Sequence, residues 1–438
     1  MTTGISAAGI IFSLVLLMYL CFRRWPILVL APLCGVLVTL ISGENVLKSL
    51  SGPYSTGLAN YAKLFFLIFL LGSICGKLME DTGAAQSIAH TIIKTVGRKG
   101  ALLAAMSVVL IAAILTYGGV VVFVIVFTIA PIALPLFKET DLPWEILPGL
   151  LAFGGATFTM SMLPGSPAIQ NIIPTRYLGT DAMAGAALGI IATIVTVVLN
   201  VLYYSYVIKK YRQKGMGFAG LGERIYNTRF TDSQIEEKDL PNFWLSLTPL
   251  IVIVLALNVF KIDIIYSLSI GIILLFIFFW KRVKDKVGTL ATGATNSILP
   301  LMNTCAIVGF GTLVAATSGF KLLTDSILAI PGHPIISLAV ATNLLVGLSG
   351  SASGGLGIAM EVLAKPYLAL GLTPEVIHRI AAIASAGMDT LPHNGYVIST
   401  LTVAGMTHKE GYVHMFVSSV LITLIALVVT LIIGVATL

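Results

Sequence analysis

The sequence predicts an all-α polytopic membrane protein. The expected architecture is an inverted-topology repeat of about 11 transmembrane helices, with two re-entrant hairpins and two proline-broken helices. Three observations predict it. The 438 residues are 57% hydrophobic and 10% charged, with a mean hydropathy of +0.99. A soluble chain is about a quarter charged, so there is too little charge here to coat a water-facing surface. Apolar runs near the ~20 residues that a bilayer crossing needs recur along the whole chain. They are continuous, whereas outer-membrane barrels alternate with period two. The basic residues behind the net charge of +7 lie in short loops between these runs. That is where orientation signals belong, and it argues against a nucleic-acid role. Cys21, Cys34, Cys75 and Cys305 sit inside apolar segments without a CxxC, and read as small buried hydrophobes.

The first half opens with scaffold spans at about 5–22, 27–42 and 58–76. Arg23 and Arg24 follow the first span, which places the N-terminus outside and the arginines in the cytoplasm. A cleaved signal peptide is not expected, because no basic stretch precedes the apolar one. An amphipathic interfacial helix at about 82–97 ends in Lys94, Arg98 and Lys99. A hairpin at about 101–137 turns at Thr116-Tyr117-Gly118-Gly119. A long segment at about 145–180 is broken at Leu163-Pro164-Gly165-Ser166-Pro167, and a span at about 184–208 closes the half. Residues 209–242, beginning Lys209-Lys210-Tyr211-Arg212, read as a cytoplasmic linker.

The same order then returns. Scaffold spans fill about 243–318, and an interfacial piece follows at about 321–330. A hairpin at about 335–371 turns at Ser349–Gly355, a segment at about 375–407 is broken at Leu391-Pro392-His393-Asn394-Gly395, and a last span runs about 412–437. Local residues agree, Met162-Leu163-Pro164 with Thr390-Leu391-Pro392. With re-entrant hairpins each half crosses an odd number of times, so the copy at 243–438 is inverted relative to 1–208 and the C-terminus is also outside.

A helix interrupted in the membrane leaves main-chain groups unpaired at several kcal/mol each, so a break persists where it lines a cavity. The half-helix after the break points amide donors at an anion. Ser166 followed by Pro167 reads as cap and first helical residue, and Asn394 as the second cap. Thr159, Ser161, Gln170 and Asn171 add polar groups beside the first break, and Ser351, Ser353 and Gly354 do so at the second hairpin tip. A glycine pair alone is more often a packing notch and a single proline a kink; their repetition at equivalent places favours a site. Asp389 is a carboxylate in an apolar segment, which by default marks a coupling-ion or protonation site, with His393 one turn on. The bland alternative pairs Asp389 with Arg379 or Lys365. Glu361 and Lys365 read as a helix pair, and His408 and His414 as solvated near the boundary. No phosphate-binding loop, HExxH or metal cluster is evident, so neither an ATP-driven engine nor a cofactor is expected.

The segments Thr116–Gly119, Thr157–Asn171, Ser349–Gly355, His378-Arg379, Met388–Gly395 and Met406–Glu410 resemble the gluconate permease (GntP) family of the ion-transporter superfamily, over essentially the whole chain. The resemblance implies a homodimer with scaffold and elevator-like transport domains, taking up small hydroxy-carboxylates with a cation, usually a proton. The gluconate branch carries a Glu in the first hairpin tip and a Pro-Pro-His-Pro-Gly-Pro break. Here Tyr117-Gly118-Gly119 and Leu163–Pro167 replace them, a pattern closer to hydroxybutyrate permeases.

The expectation is therefore a symporter of the bacterial cytoplasmic membrane for a short hydroxy-monocarboxylate such as D-3-hydroxybutyrate, with a proton preferred over sodium. The substrate would meet Tyr117, Gly118, Gly119, Gly165, Ser166 and Ser351–Gly354, and Asp389, His393 and Asn394 would serve coupling or hydroxyl recognition. A sugar-acid permease, a carboxylate antiporter, a channel and a sensor are the alternatives.

Overall fold

The structure is a computed structural model that describes residues 3–23, 25–229, 240–392 and 394–437. These residues are helical throughout, with no strand among them. The first half comprises α1 (Thr3–Phe22), α2 (Ile27–Ser42), α3 (Val46–Asp81), α4 (Ala84–Thr95), α5 (Ala101–Tyr117), α6 (Val122–Glu139), α7 (Leu147–Gly155), α8 (Ile169–Leu178) and α9 (Ala186–Gln213). After α10 (Leu221–Arg229) come α11 (Phe243–Asn258), α12 (Ile264–Phe279), α13 (Lys286–Ala315), α14 (Phe320–Leu328), α15 (Pro334–Ser349), α16 (Ala352–Ala369), α17 (Pro374–Gly387), α18 (Gly395–Val403) and α19 (His408–Thr437).

The helices start and stop where local chemistry dictates. Asn242, Asp263 and Asp285 each accept a main-chain amide as N-caps of α11, α12 and α13. Gly43 ends α2 in the left-handed conformation at φ 74°. Thr407 and Glu410 form a capping box at the start of α19. Of these helices, α3, α9, α13 and α19 are each long and apolar enough to cross a bilayer unaided. Large apolar side chains face outward from them as well as inward: Leu202 is 60% and Ile432 65% exposed. In a bilayer that outer face meets lipid, so it carries no penalty.

The packing falls into matched pairs. α3 lies along α13, with α12 beside α3 and α2 beside α13. α4 packs on α11, and α14 on α1. Each hairpin's first arm rests on the leading part of its own broken helix, α5 on α7 and α15 on α17. Its second arm rests on the trailing part of the other one, α6 on α18 and α16 on α8. The central α3–α13 contact is close because Gly57 faces Thr312, Gly309 faces Tyr54 and Gly293 faces Ile74, where a Cβ would clash.

Several expectations need correction. The third span is longer than 58–76 and begins at Val46, across one wide turn at Leu50–Tyr54. Part of the expected linker is ordered helix: the Phe218 amide donates to Asp141 at 2.8 Å and Arg224 pairs with Glu410 at 3.0 Å. Residues 230–239 lie outside the described residues. His414 is not solvated; it is 7% exposed, with Tyr203 at 2.8 Å from Nδ1 and Tyr211 at 3.0 Å from Nε2.

Candidate functional site

The first break is wider than the proline pair suggests. α7 stops at Gly155, residues Phe158–Met162 make one wide turn, and α8 starts only at Ile169. Carbonyls freed at the end of α7 are taken up by local hydroxyls. Thr157 donates to Phe153, Thr159 to Gly154 and Ser161 to Thr157, at 2.6, 2.6 and 3.1 Å. Thr159 and Ser161 are thus spent on their own main chain. Ser166 does not cap α8 as expected; its hydroxyl takes the Ala168 amide at 3.2 Å, a tight turn that delays the helix to residue 169.

Past this turn, three successive carbonyls each receive a side chain from a different element. Tyr117 of hairpin 1 donates to Pro164 at 2.9 Å, Asn258 of α11 to Gly165 at 2.8 Å, and Asn171 of α8 to Ser166 at 2.8 Å. Gly165 holds φ at +80°, and a Cβ there would stand 2.8 Å from the Asn258 amide. Gly119, at φ +93°, lies against Pro167 and Leu268, and Gly118 against Leu250.

The second broken helix supplies the rest of the first break. Arg379 of α17 is fully buried, and its guanidinium donates to the carbonyls of Ala184, Met162 and Ala182 at 2.8, 3.2 and 3.2 Å. Gly185 and Gly189 on α9 make the slot for its stem. Neighbouring His378 contacts Thr180 through Nδ1 at 2.7 Å and Asn171 through Nε2 at 3.2 Å. A carboxylate alongside, Asp181, is engaged by Lys261 at 2.7 Å, which holds its carboxyl below the usual carboxylate range. A buried guanidinium without a carboxylate on it makes this break electropositive.

Two buried polar atoms there remain without a partner among the described residues, the Thr116 hydroxyl and Oδ1 of Asn258; Gln170, 8% exposed, stands beside them on the first turn of α8. Buried polar groups are seldom left so, and a ligand is one way to satisfy them.

The second break has the opposite character. Asp389, 6% exposed, accepts the Ala352 amide at 2.7 Å and the Asn394 side chain at 2.9 Å, both on Oδ1. It therefore sits at the N-terminus of α16, at the tip of hairpin 2, where a carboxylate is favoured. Its Oδ2 takes no hydrogen bond among the described residues. Asn394 also donates to Gly350 and Asp389 carbonyls and accepts the Tyr396 amide at 2.6 Å, so it caps α18 as expected. Ser351 caps α16 through the Gly354 amide and lies 3.3 Å from Ser353, which is 3.3 Å from Thr304.

The structure thus gathers the expected residues into two sets. Tyr117, Gly118, Gly119, Gly165, Ser166 and Asn171 stand at the first break; Ser351, Ser353, Gly354, Asp389 and Asn394 stand at the second. His393 lies outside the described residues. α17 joins the two sets, with Arg379 and Gly387 about 12 Å apart along the helix. Asp389 is paired with neither Arg379 nor Lys365, and Glu361 lies near Tyr177 and forms no ion pair with Lys365 among the described residues. The sequence reading gave no site role to Asn258, His378 or Arg379; a charged residue in an apolar helix was the available signal for Arg379. No group of three or more metal-ligating side chains occurs among the described residues.

A family model described as GntP family permease matches residues 1–278. The uncharacterized transporter YxjC of Bacillus subtilis (strain 168) is 36% identical, over 93% of this chain and 94% of its own. A high-affinity gluconate transporter of Escherichia coli (strain K12) is 22% identical over 81% of each chain. In fold, the chain is similar to the crystal structure of the YdaH transporter of Alcanivorax borkumensis, with a TM-score of 0.57, 16% identity and 90% of both chains covered.

Proposed function

The chain belongs to the GntP permease family, and from that premise we propose that it is a proton symporter of a short hydroxy-monocarboxylate. That it is a multi-pass membrane transporter and not an enzyme follows from the family itself. The opposite chemistry of the two breaks carries the finer assignment. The substrate carboxylate sits at the first break, against the α8 amides, Gln170 and the field of Arg379. Asn258 Oδ1 and the Thr116 hydroxyl are partners for a substrate hydroxyl. Asp389, with one oxygen uncommitted, takes the coupling cation at the second break. A single carboxylate favours a proton over sodium, which prefers several oxygen ligands.

Leu250, Leu268 and Pro167 close over the tip at Gly118 and Gly119, which favours a short acid such as D-3-hydroxybutyrate over a longer polyhydroxylated one. A sugar acid is the second reading, favoured by the similarity to a gluconate transporter. We further propose that residues 1–208 and 243–438 are inverted repeats, an assignment supported by the reciprocal packing of their helices. In that arrangement the hairpins and broken helices move together against the scaffold spans of a homodimer in the cytoplasmic membrane. Both termini lie outside and 209–242 inside.

Uptake of labelled D-3-hydroxybutyrate into proteoliposomes tests this. The expected result is uphill uptake under an inward proton gradient, not under a sodium gradient, with little inhibition by unlabelled gluconate. Uphill uptake of gluconate instead would move the substrate to the sugar acids, and uptake that never exceeds equilibrium would overturn symport.

A further inference from the structure

The apolar part of α9 ends at Ile208, and a cavity of about 500 Å³ opens there between the base of α5 and the end of α9. Ala101, Leu102, Ser205, Ile208, Lys209 and Arg212 line it, and among the described residues no carboxylate does. Two other cations nearby are engaged: Arg98 pairs with Glu139 at 3.3 Å, and Lys210 lies over the Tyr206 ring at 5.4 Å. Lys209 and Arg212 have neither an ion-pair nor a ring partner among the described residues. Leu102 and Ile208 make part of its lining apolar. On the same helix Leu202 and Tyr206 are each 60% exposed, an outward apolar and aromatic band of the kind that marks a membrane–water boundary.

Two unpaired cations above an apolar wall at that boundary match a lipid with an anionic head and hydrocarbon tails. A soluble anion would satisfy the cations and leave the wall unused. We propose that this cavity binds the phosphate headgroup of an anionic phospholipid, with its acyl chains against Leu102 and the outer face of α9. Bound there, the lipid ties the first arm of hairpin 1 to the helix that leads into the linker. The site is remote from both breaks and independent of the transported substrate.

Native mass spectrometry of the purified full-length chain tests it, with phosphatidylglycerol and phosphatidylcholine supplied in equal amounts. The wild type and a Lys281→Gln/Lys284→Gln control should retain phosphatidylglycerol preferentially. Lys209→Gln/Arg212→Gln should lose that preference roughly tenfold or more, at about 1 kcal/mol per basic residue. Ser205→Trp, which fills the cavity and keeps both cations, should lose it as well. Equal retention by the Lys209/Arg212 variant, or no preference over phosphatidylcholine in the wild type, would overturn the proposal. So would inorganic phosphate raising the melting temperature as far as phosphatidylglycerol does, since the ligand would then be a free anion.

Discussion

The two breaks occupy corresponding places in the two halves yet resolve their exposed main chain in opposite ways. At the first, carbonyls are the surplus, and besides Asn171 of the adjoining helix, donors come from distant elements: Tyr117, Asn258 and above all Arg379. At the second, one amide and one carboxylate within the same loop do most of the work, with Asn394 donating to Gly350 and to Asp389 while Asp389 takes the tip amide of α16. The difference teaches that two breaks with the same order of flanking elements need not share their electrostatics. One break is left cationic and the other anionic, a pairing that the proposed symport of an anion with a cation would need.

Variants can break this contrast in graded ways. The largest effect is expected from Arg379→Ala, which strands three buried carbonyls. Each buried carbonyl left unsatisfied costs about 1–3 kcal/mol. The melting temperature of the purified protein should fall sharply, with hydrogen exchange rising at residues 162–185 and little changed at 388–392. Arg379→Lys should recover only part, because an ammonium lacks the planar fork.

Gly165→Ala comes next. Its φ of +80° and the nearby Asn258 amide make any side chain strained, by about 1–3 kcal/mol. Substrate exchange should drop while the protein stays folded, read as exchange rate against melting temperature. Tyr117→Phe removes a single hydrogen bond to Pro164, worth about 1 kcal/mol, and should raise the substrate KM roughly five-fold without altering the dependence on the cation gradient.

The smallest effect concerns Lys261 and Asp181. Because Lys261 lowers the Asp181 pKa, the pair stabilises the protein above the ordinary carboxylate range and loses that contribution as pH falls through the lowered value. Melting temperatures of wild type and Lys261→Met should differ slightly at neutral pH and converge in acid. Both groups are about half exposed, so the difference should also shrink with salt.

Much of this organisation was legible in the chain. The hairpins, both breaks and the positions of Asp389 and Asn394 follow from where Gly, Pro and lone polar residues interrupt apolar runs. Asn394 caps α18 as read because a side-chain oxygen ahead of a helix has a local partner. Arg379 was opaque because its acceptors are main-chain carbonyls 195 to 217 positions away, and a carbonyl carries no residue identity. Asn258 was hidden for the same reason. His414 looked solvated from its neighbours Lys409 and Glu410, but helix periodicity turns it inward onto two tyrosines of α9. Ser166 was misread because a tight turn and a helix cap use the same hydroxyl.

The division of labour between the breaks is tested most directly by Asp389→Asn in proteoliposomes. Uphill uptake under an imposed proton gradient and gradient-free exchange of labelled for unlabelled substrate would be measured side by side. Loss of uphill uptake with exchange retained is the predicted result, because the anion would still bind at the first break. Full concentrative uptake by the variant would contradict it.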